Sequence, residues 1–285
     1  MIGVNRQANC SLSGPDLVFM NGDFMKQFNV FLALAILHLN LIVKAEVLFE
    51  GYYKVTQFKK HIGFLVLRHE VDEKNKNFKT TSFIKLGKAG FNLTESYQAV
   101  SDSELAPVSL SYLAVGDRKT KTIEVKFSKT ATTYKMTGNV VEDGKKIKID
   151  EKITKGVFLS SALYYLMLQS KEGLKTGTQF DYAAITEEGP VVIKGTVNVD
   201  KKMQTQGALQ LLKINNNFAG SEYTNLITSR GEVISAATPA TSIETELVKD
   251  KEEATEGLKL TKGTLEKIFG KTPTGKINIL HTKGN

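Results

Sequence analysis

The chain has 285 residues, 41% hydrophobic and 24% charged, with 38 Lys and Arg against 30 Asp and Glu for a net charge of +8. That composition excludes a disordered chain and one that is membrane-embedded along its length, and it supports one large or two small cores. The positive balance suits an acidic partner such as anionic lipid, cell-wall polymer or nucleic acid; spread over many hairpins, it keeps the protein soluble.

Residues 1–45 read as a leader. Met25 to Ala45 carries a basic start at Lys26, an apolar body from Val30 to Leu37 continuing to Val43, and Val43-Lys44-Ala45 ahead of a cut, the three parts of a secretory signal. Residues 1–24 do not fit ahead of such a signal, which places the true translation start at Met25. The apolar body contains His38 and Asn40 and falls short of the roughly 18 apolar residues that span a bilayer, so no stable membrane span is expected after cleavage. The single cysteine, Cys10, precedes the mature start; the exported protein would hold no thiol, disulfide or cysteine nucleophile. Periplasmic or secreted localisation follows from this segment.

From Glu46 to Ile153 the pattern is strand after strand. Val47 to Phe58, Ile62 to Val71, Phe78 to Leu86, Phe91 to Val100 and Val108 to Val115 are separated by short charged or glycine-containing turns. Ile123, Val125 and Phe127 alternate with polar residues, as do Ile147, Ile149 and Ile153, which predicts one wet and one dry face. Asp143-Gly144 predicts a two-residue hairpin turn, because glycine takes the positive φ that such a turn requires.

Val157 to Ser170 is the one long stretch after the leader that reads as a buried helix. Strands resume at Gln179 to Ile185, followed by a turn at Glu187-Glu188-Gly189-Pro190, then Val191 to Val199, a long run from Met203 to Phe218, Glu222 to Thr228, Val233 to Ala237 and Ser242 to Val248. Residues 46–248 thus form a β-rich domain, and residues 249–285 a short exposed helix at Lys249 to Gly257, a further helical turn or two at Thr264 to Phe269, and a loosely held, glycine-rich end from Gly270.

Five short segments carry a resemblance. Gly51-Tyr52-Tyr53 with His61-Ile62-Gly63, Thr178-Gln179-Phe180-Asp181, and Ser229-Arg230-Gly231-Glu232-Val233 leading to Lys251-Glu252-Glu253-Ala254 resemble the β-rich amino-terminal region of exported bacterial transglutaminase-like proteins, and a related exported bacterial family of unknown function. In those transglutaminase-like proteins a catalytic Cys, His, Asp domain follows this region. No cysteine follows Ala254 here, so none of that chemistry carries over to a residue of this chain. What the resemblance implies is a curved antiparallel sheet presenting a groove.

Catalytic and metal constellations are poorly supported. His61 sits in a basic turn and is expected to be solvent-exposed; His69-Glu70 lacks the second histidine of a zinc helix. Gly270 to Lys276 imitates a phosphate loop, but Ile277 stands where the Mg²⁺-binding Ser or Thr belongs and no helix pattern follows. Glu187 and Glu188 are adjacent in a turn and are read as solvated. The basic hairpin tips at Lys59-Lys60, Lys74 with Lys76, Arg118-Lys119 and Lys145-Lys146 lack alternating aromatics, which argues against nucleic acid and for lysines that blunt sheet edges.

The expectation is a mainly β fold, a curved antiparallel sheet or incomplete barrel packed around one central helix, in a non-catalytic envelope protein without cofactor or metal. One functional reading is an apolar or lipid-like ligand in the concave face, contacted by Tyr164, Tyr165, Phe180 and Tyr182. The other is a structural module that binds another envelope protein. A continuous apolar cavity favours the first; a filled interior with an exposed strand edge favours the second.

Overall fold

The computed structural model describes residues 45–117 and 119–282, so residues 1–44 of the leader, Cys10 among them, and Arg118 lie outside the described residues. Sixteen strands form one mainly antiparallel sheet that does not close. Eight come first as a meander: β1 (Ala45–Gln57), β2 (Lys60–Asp72), β3 (Phe78–Leu86), β4 (Leu93–Ser101), β5 (Pro107–Gly116), β6 (Lys119–Lys129), β7 (Thr133–Glu142) and β8 (Lys145–Thr154). The chain then runs through β9 (Phe158–Leu159), β10 (Gln179–Ile185), β11 (Val192–Val199), β12 (Gln204–Gln206), β13 (Leu209–Phe218), β14 (Ser221–Ile227), β15 (Val233–Thr238) and β16 (Ile243–Val248). β16 pairs with β1, so the order from edge to edge is β8 to β1, then β16 back to β9, with β12 paired only to β13.

Alternation explains which way the strands face. Ile123 and Val125 of β6 and Ile149 and Ile153 of β8 are buried, with charged neighbours between them exposed. Asp143 and Gly144 have φ of 49° and 81°, the geometry of a primed turn, and Asp143 Oδ1 accepts the Thr120 amide at 2.9 Å. The two ends of the sheet are brought together by packing: Val157, Leu159 and Ile185, from β9 and its surroundings, share a core cluster with Leu110, Ile123 and Met136 of β5 to β7.

The stretch from Val157 to Ser170 differs from a continuous helix. Phe158 and Leu159 are extended and pair in parallel with Ala184 and Ile185; a 3₁₀ turn follows at Ser160–Ala162, and the α-helix covers only Leu163–Gln169. A short, uniformly apolar run satisfies a buried strand as well as a buried helix, and here the sheet edge takes its first residues. Leu163 and Met167 enter a cluster with Val197, Leu212, Ile214 and Ile227, while Leu168 is exposed. The run from Met203 to Phe218 is likewise two strands, β12 and β13, separated by a turn at Gly207 with φ of 58°.

β1 and β2 are buried on both faces. Phe49 and Tyr53 face the interior, while Tyr52, Phe64, Val66 and Phe83 form an outer cluster. What covers that outer cluster is the C-terminal segment: Ala254 of the helix Lys251–Thr255, and Leu265 and Phe269 of the helix Thr264–Phe269, pack onto it. The first of these helices is therefore not simply exposed. Nor is the glycine-rich end loosely held. Glu50 Oε1 accepts the amides of Thr274 and Gly275 at 2.6 and 2.8 Å, Asn278 Nδ2 donates to the Glu50 carbonyl at 2.9 Å, and Tyr52 donates to the Pro273 carbonyl at 3.2 Å.

Candidate functional site

The inner faces of strands from both halves of the sheet meet around a cavity of about 410 Å³. One side is Phe49 and Tyr53 of β1, His69 of β2 and Tyr97 of β4; the other is Tyr182 of β10, Asn216 of β13 and Asn225 of β14. The turn and helix after β9 close the space with Ser160, Ser161, Tyr164 and Tyr165. Of the four aromatic residues singled out from the sequence, the structure brings Tyr164, Tyr165 and Tyr182 to this cavity. Phe180 is not on its wall. It sits two residues from Tyr182 on the same face of β10, half-buried against the core, its ring 6.5 Å from that of Tyr182.

Three of the tyrosine hydroxyls are held. Tyr182 donates to Asn216 Oδ1 at 2.7 Å, Tyr53 donates to the Val233 carbonyl at 2.9 Å, and Tyr164 accepts from Asn225 Nδ2 at 2.5 Å. Burial pushes the Tyr182 phenol up to about 12 and raises those of Tyr164 and Tyr165 further, so all three are neutral phenols at physiological pH. His69 is enclosed by aromatic rings, 5.5 Å from Phe78 and 5.0 Å from Tyr165, and its Nδ1 lies 3.0 Å from Thr80 Oγ1. Burial lowers its pKa to about 3, which keeps the imidazole neutral.

The wall is more polar than an apolar concavity. Glu187 is not solvated as its place in a turn suggested: it is buried, its carboxylate accepts from the Ser160 hydroxyl, and it accepts the Ser161 amide at 2.9 Å. Burial raises its pKa, and these hydrogen bonds offset only part of that. Glu188, the next residue, is exposed at the rim. Glu232 is buried but paired, accepting from Arg230 Nη2 at 2.9 Å. Ser161 Oγ is buried beside the Glu187 carboxyl, whose charged form it favours.

Two other sequence candidates resolve differently. His61 is half-buried rather than exposed: its Nε2 lies 2.9 and 3.1 Å from the carbonyls of Gly63 and Ala254, and Lys88 Nζ lies 3.1 Å from Nδ1. Since the lysine can only donate, Nδ1 accepts and Nε2 carries the proton that the carbonyls receive. In the phosphate-loop imitation, the amides of Thr274 and Gly275 are already bonded to Glu50, and the chain does not continue into a helix, so no anion cradle is formed. Among the described residues no group of three or more His, Cys, Asp and Glu side chains is placed to hold a metal ion.

No family model and no curated protein matches the chain. Two solved structures resemble it. A β-barrel-like protein of Domain of Unknown Function DUF1849 from Brucella abortus aligns over 72% of this chain and 98% of its own, with 13% identity and a TM-score of 0.48. A DUF1089 family protein from Pseudomonas aeruginosa aligns over 64% and 92%, with 10% identity and a TM-score of 0.38. Neither is described as transglutaminase-like, and at those scores neither likeness fixes the function of this chain.

Proposed function

We propose that this is a non-catalytic, exported envelope protein that holds a small amphipathic molecule inside its sheet. The observation that carries the reading is the half-open cavity of about 410 Å³, flanked by both halves of the sheet and lined by Tyr164, Tyr165 and Tyr182. Its size falls within the range of small-molecule sites, and its mixture of aromatic rings with a few convergent polar groups matches how such sites combine affinity with orientation. In this reading the short helix Leu163–Gln169 is the plug about which the sheet curves, and its two tyrosines form one side of the site. The wall is not continuously apolar, so the ligand is amphipathic rather than a bare hydrocarbon.

The alternative, a module that docks another envelope protein by strand addition, relies on an open sheet edge. β8 is the longer of the two terminal strands, and Lys145, Lys146, Lys148 and Lys152 stud it, a pattern that discourages pairing. Export rests on the signal pattern from Met25 to Ala45; amino-terminal sequencing of the protein from its native host should read Glu46. Retention of Met25 to Ala45 in the mature protein would instead make it membrane-anchored.

The test of binding is an environment-sensitive apolar dye, titrated against folded protein, together with native mass spectrometry of protein purified from its own envelope. One dye per chain is expected, displaced by the co-purified molecule. A folded protein that binds no dye and carries no small molecule would remove the ligand reading and leave the docking module.

A further inference from the structure

Taken as the binding site of the preceding section, on which this inference rests, the cavity has a sign. We infer that it selects a protonated amine joined to an apolar body, over an anionic or neutral amphiphile of the same length.

The chain as a whole carries +8, yet the wall of this cavity contains, among the described residues, three carboxyl groups, from Glu187, Glu188 and Glu232, and no lysine or arginine. Its one imidazole, His69, is neutral. Arg230 already neutralises Glu232 at 2.9 Å, which leaves Glu187 inside and Glu188 at the rim without a basic partner among the described residues. Buried charge is costly when unpaired, so a carboxylate placed here gains most from a ligand that brings the opposite charge. A fatty carboxylate would instead add a like charge beside Glu187.

The rest of the wall has the same preference. An ammonium has three donors and no acceptor. Facing it are the Glu187 oxygens, which accept from Ser160 and Ser161, and the buried Ser161 Oγ beside them. The faces of tyrosine rings are electron-rich, and Tyr164, Tyr165 and Tyr182 stand on the same wall, where a cation within about 6 Å of a ring is attracted. Leu163, Phe49 and Phe218 supply the apolar remainder that a hydrocarbon body would cover.

The experiment is calorimetric titration of the full chain with three probes of one length: hexylammonium, 1-hexanol and hexanoate, at pH 7 and low salt. Hexylammonium should bind about tenfold more tightly than hexanol, the size expected of one added charged contact, and hexanoate more weakly than hexanol. Glu187→Gln keeps the acceptor for the Ser161 amide and should cut the preference for ammonium over hexanol to less than about threefold, with hexanol affinity unchanged. Were that variant to misfold, Ser161→Ala, which removes the hydroxyl beside Glu187 and keeps the amide that Glu187 accepts, should weaken hexylammonium but not hexanol. Equal binding of all three probes, or the tightest binding by hexanoate, would overturn the amine inference while leaving a ligand cavity in place. Failure of all three to bind would overturn both.

Discussion

Glu50 and Arg68 face each other as a directly registered pair across β1 and β2, both about 1% exposed, with Arg68 Nε donating to Glu50 Oε2 at 2.8 Å and Nη2 2.6 Å from the same oxygen. The other Glu50 oxygen takes the Thr274 hydroxyl and the amides of Thr274 and Gly275, and Arg68 Nη1 donates to the Phe269 carbonyl at 2.7 Å. The Arg68 guanidinium also lies 5.0 Å from the Phe269 ring centroid. One ion pair therefore joins the sheet to the segment that covers it.

Arg68→Met is expected to be strongly destabilising, by about 3–5 kcal/mol, because it strands a buried carboxylate and releases the Phe269 carbonyl. The double variant Glu50→Gln with Arg68→Met should recover part of that loss. Urea unfolding of Arg68→Met, Glu50→Gln and the double variant measures it; a double variant as weak as the sum of the singles would mean that the two side chains do not act as a pair.

The same carboxylate predicts an acid response. Burial alone would raise the pKa of Glu50, but the Gly275 amide, Arg68 and Thr274 outweigh it and hold the group below its ordinary value of 4.5. A depressed carboxyl contributes stability that is present above 4.5 and is lost as pH falls through the lower folded value. Hydrogen exchange at residues 273–278 should therefore accelerate only below about pH 4.5. Acceleration already at pH 6 would assign the release to another group.

His69 works in a different window. Its pKa is about 3 in the folded chain against an ordinary 6.5, so between those values the unfolded state binds a proton that the folded state does not. Stability should fall as pH drops from 6.5 towards 3, by up to about 1.4 kcal/mol per pH unit from this group. His69→Leu should flatten the stability profile between pH 6.5 and 4.5, where Glu50 does not yet contribute. An unchanged slope would show that the ring is not neutral and enclosed.

Leu163→Asp should cost several kcal/mol, since the side chain enters the apolar cluster with Ile214 and Val197, where a charge would be desolvated. Lys119→Asp, on an exposed stretch of β6, should be nearly silent. Thermal melts that found the two equally mild would remove the helix from the core.

Gly138→Ala tests the sheet itself. A Cβ at Gly138 would stand 2.0 Å from the Glu124 carbonyl oxygen and 2.8 Å from Val125 Cα, both backbone atoms, so β6 and β7 must separate locally. A loss of about 1–3 kcal/mol is expected from this overpacking. A neutral result in urea unfolding would mean that the two strands are not this close.

The strands of the first half were legible because alternation and turn chemistry are local. Ile123, Val125, Ile149 and Ile153 face inward at period two, and Asp143-Gly144 turns between β7 and β8, all within short windows of sequence. Tyr182 could be picked out on a strand, and Tyr164 and Tyr165 in an apolar run read as a buried helix, because those patterns are local too. Tertiary structure alone decided how deep each lies: Phe180 shares a strand face with Tyr182 yet ends beyond the cavity, because alternation assigns a side but not a position along it. It also decided which polar residues turn inward. Glu187 and Glu188 are indistinguishable as neighbours in a turn, and only the hydroxyl of Ser160 and the amide of Ser161, 26 or 27 residues earlier, draw the first inside. The same holds for the end of the chain. Gly270 to Lys276 is polar and glycine-rich, which locally reads as loose, but Glu50 offers Thr274 and Gly275 a buried acceptor 224 and 225 residues away, and hydrogen-bond partners at such separations leave no local periodicity to read.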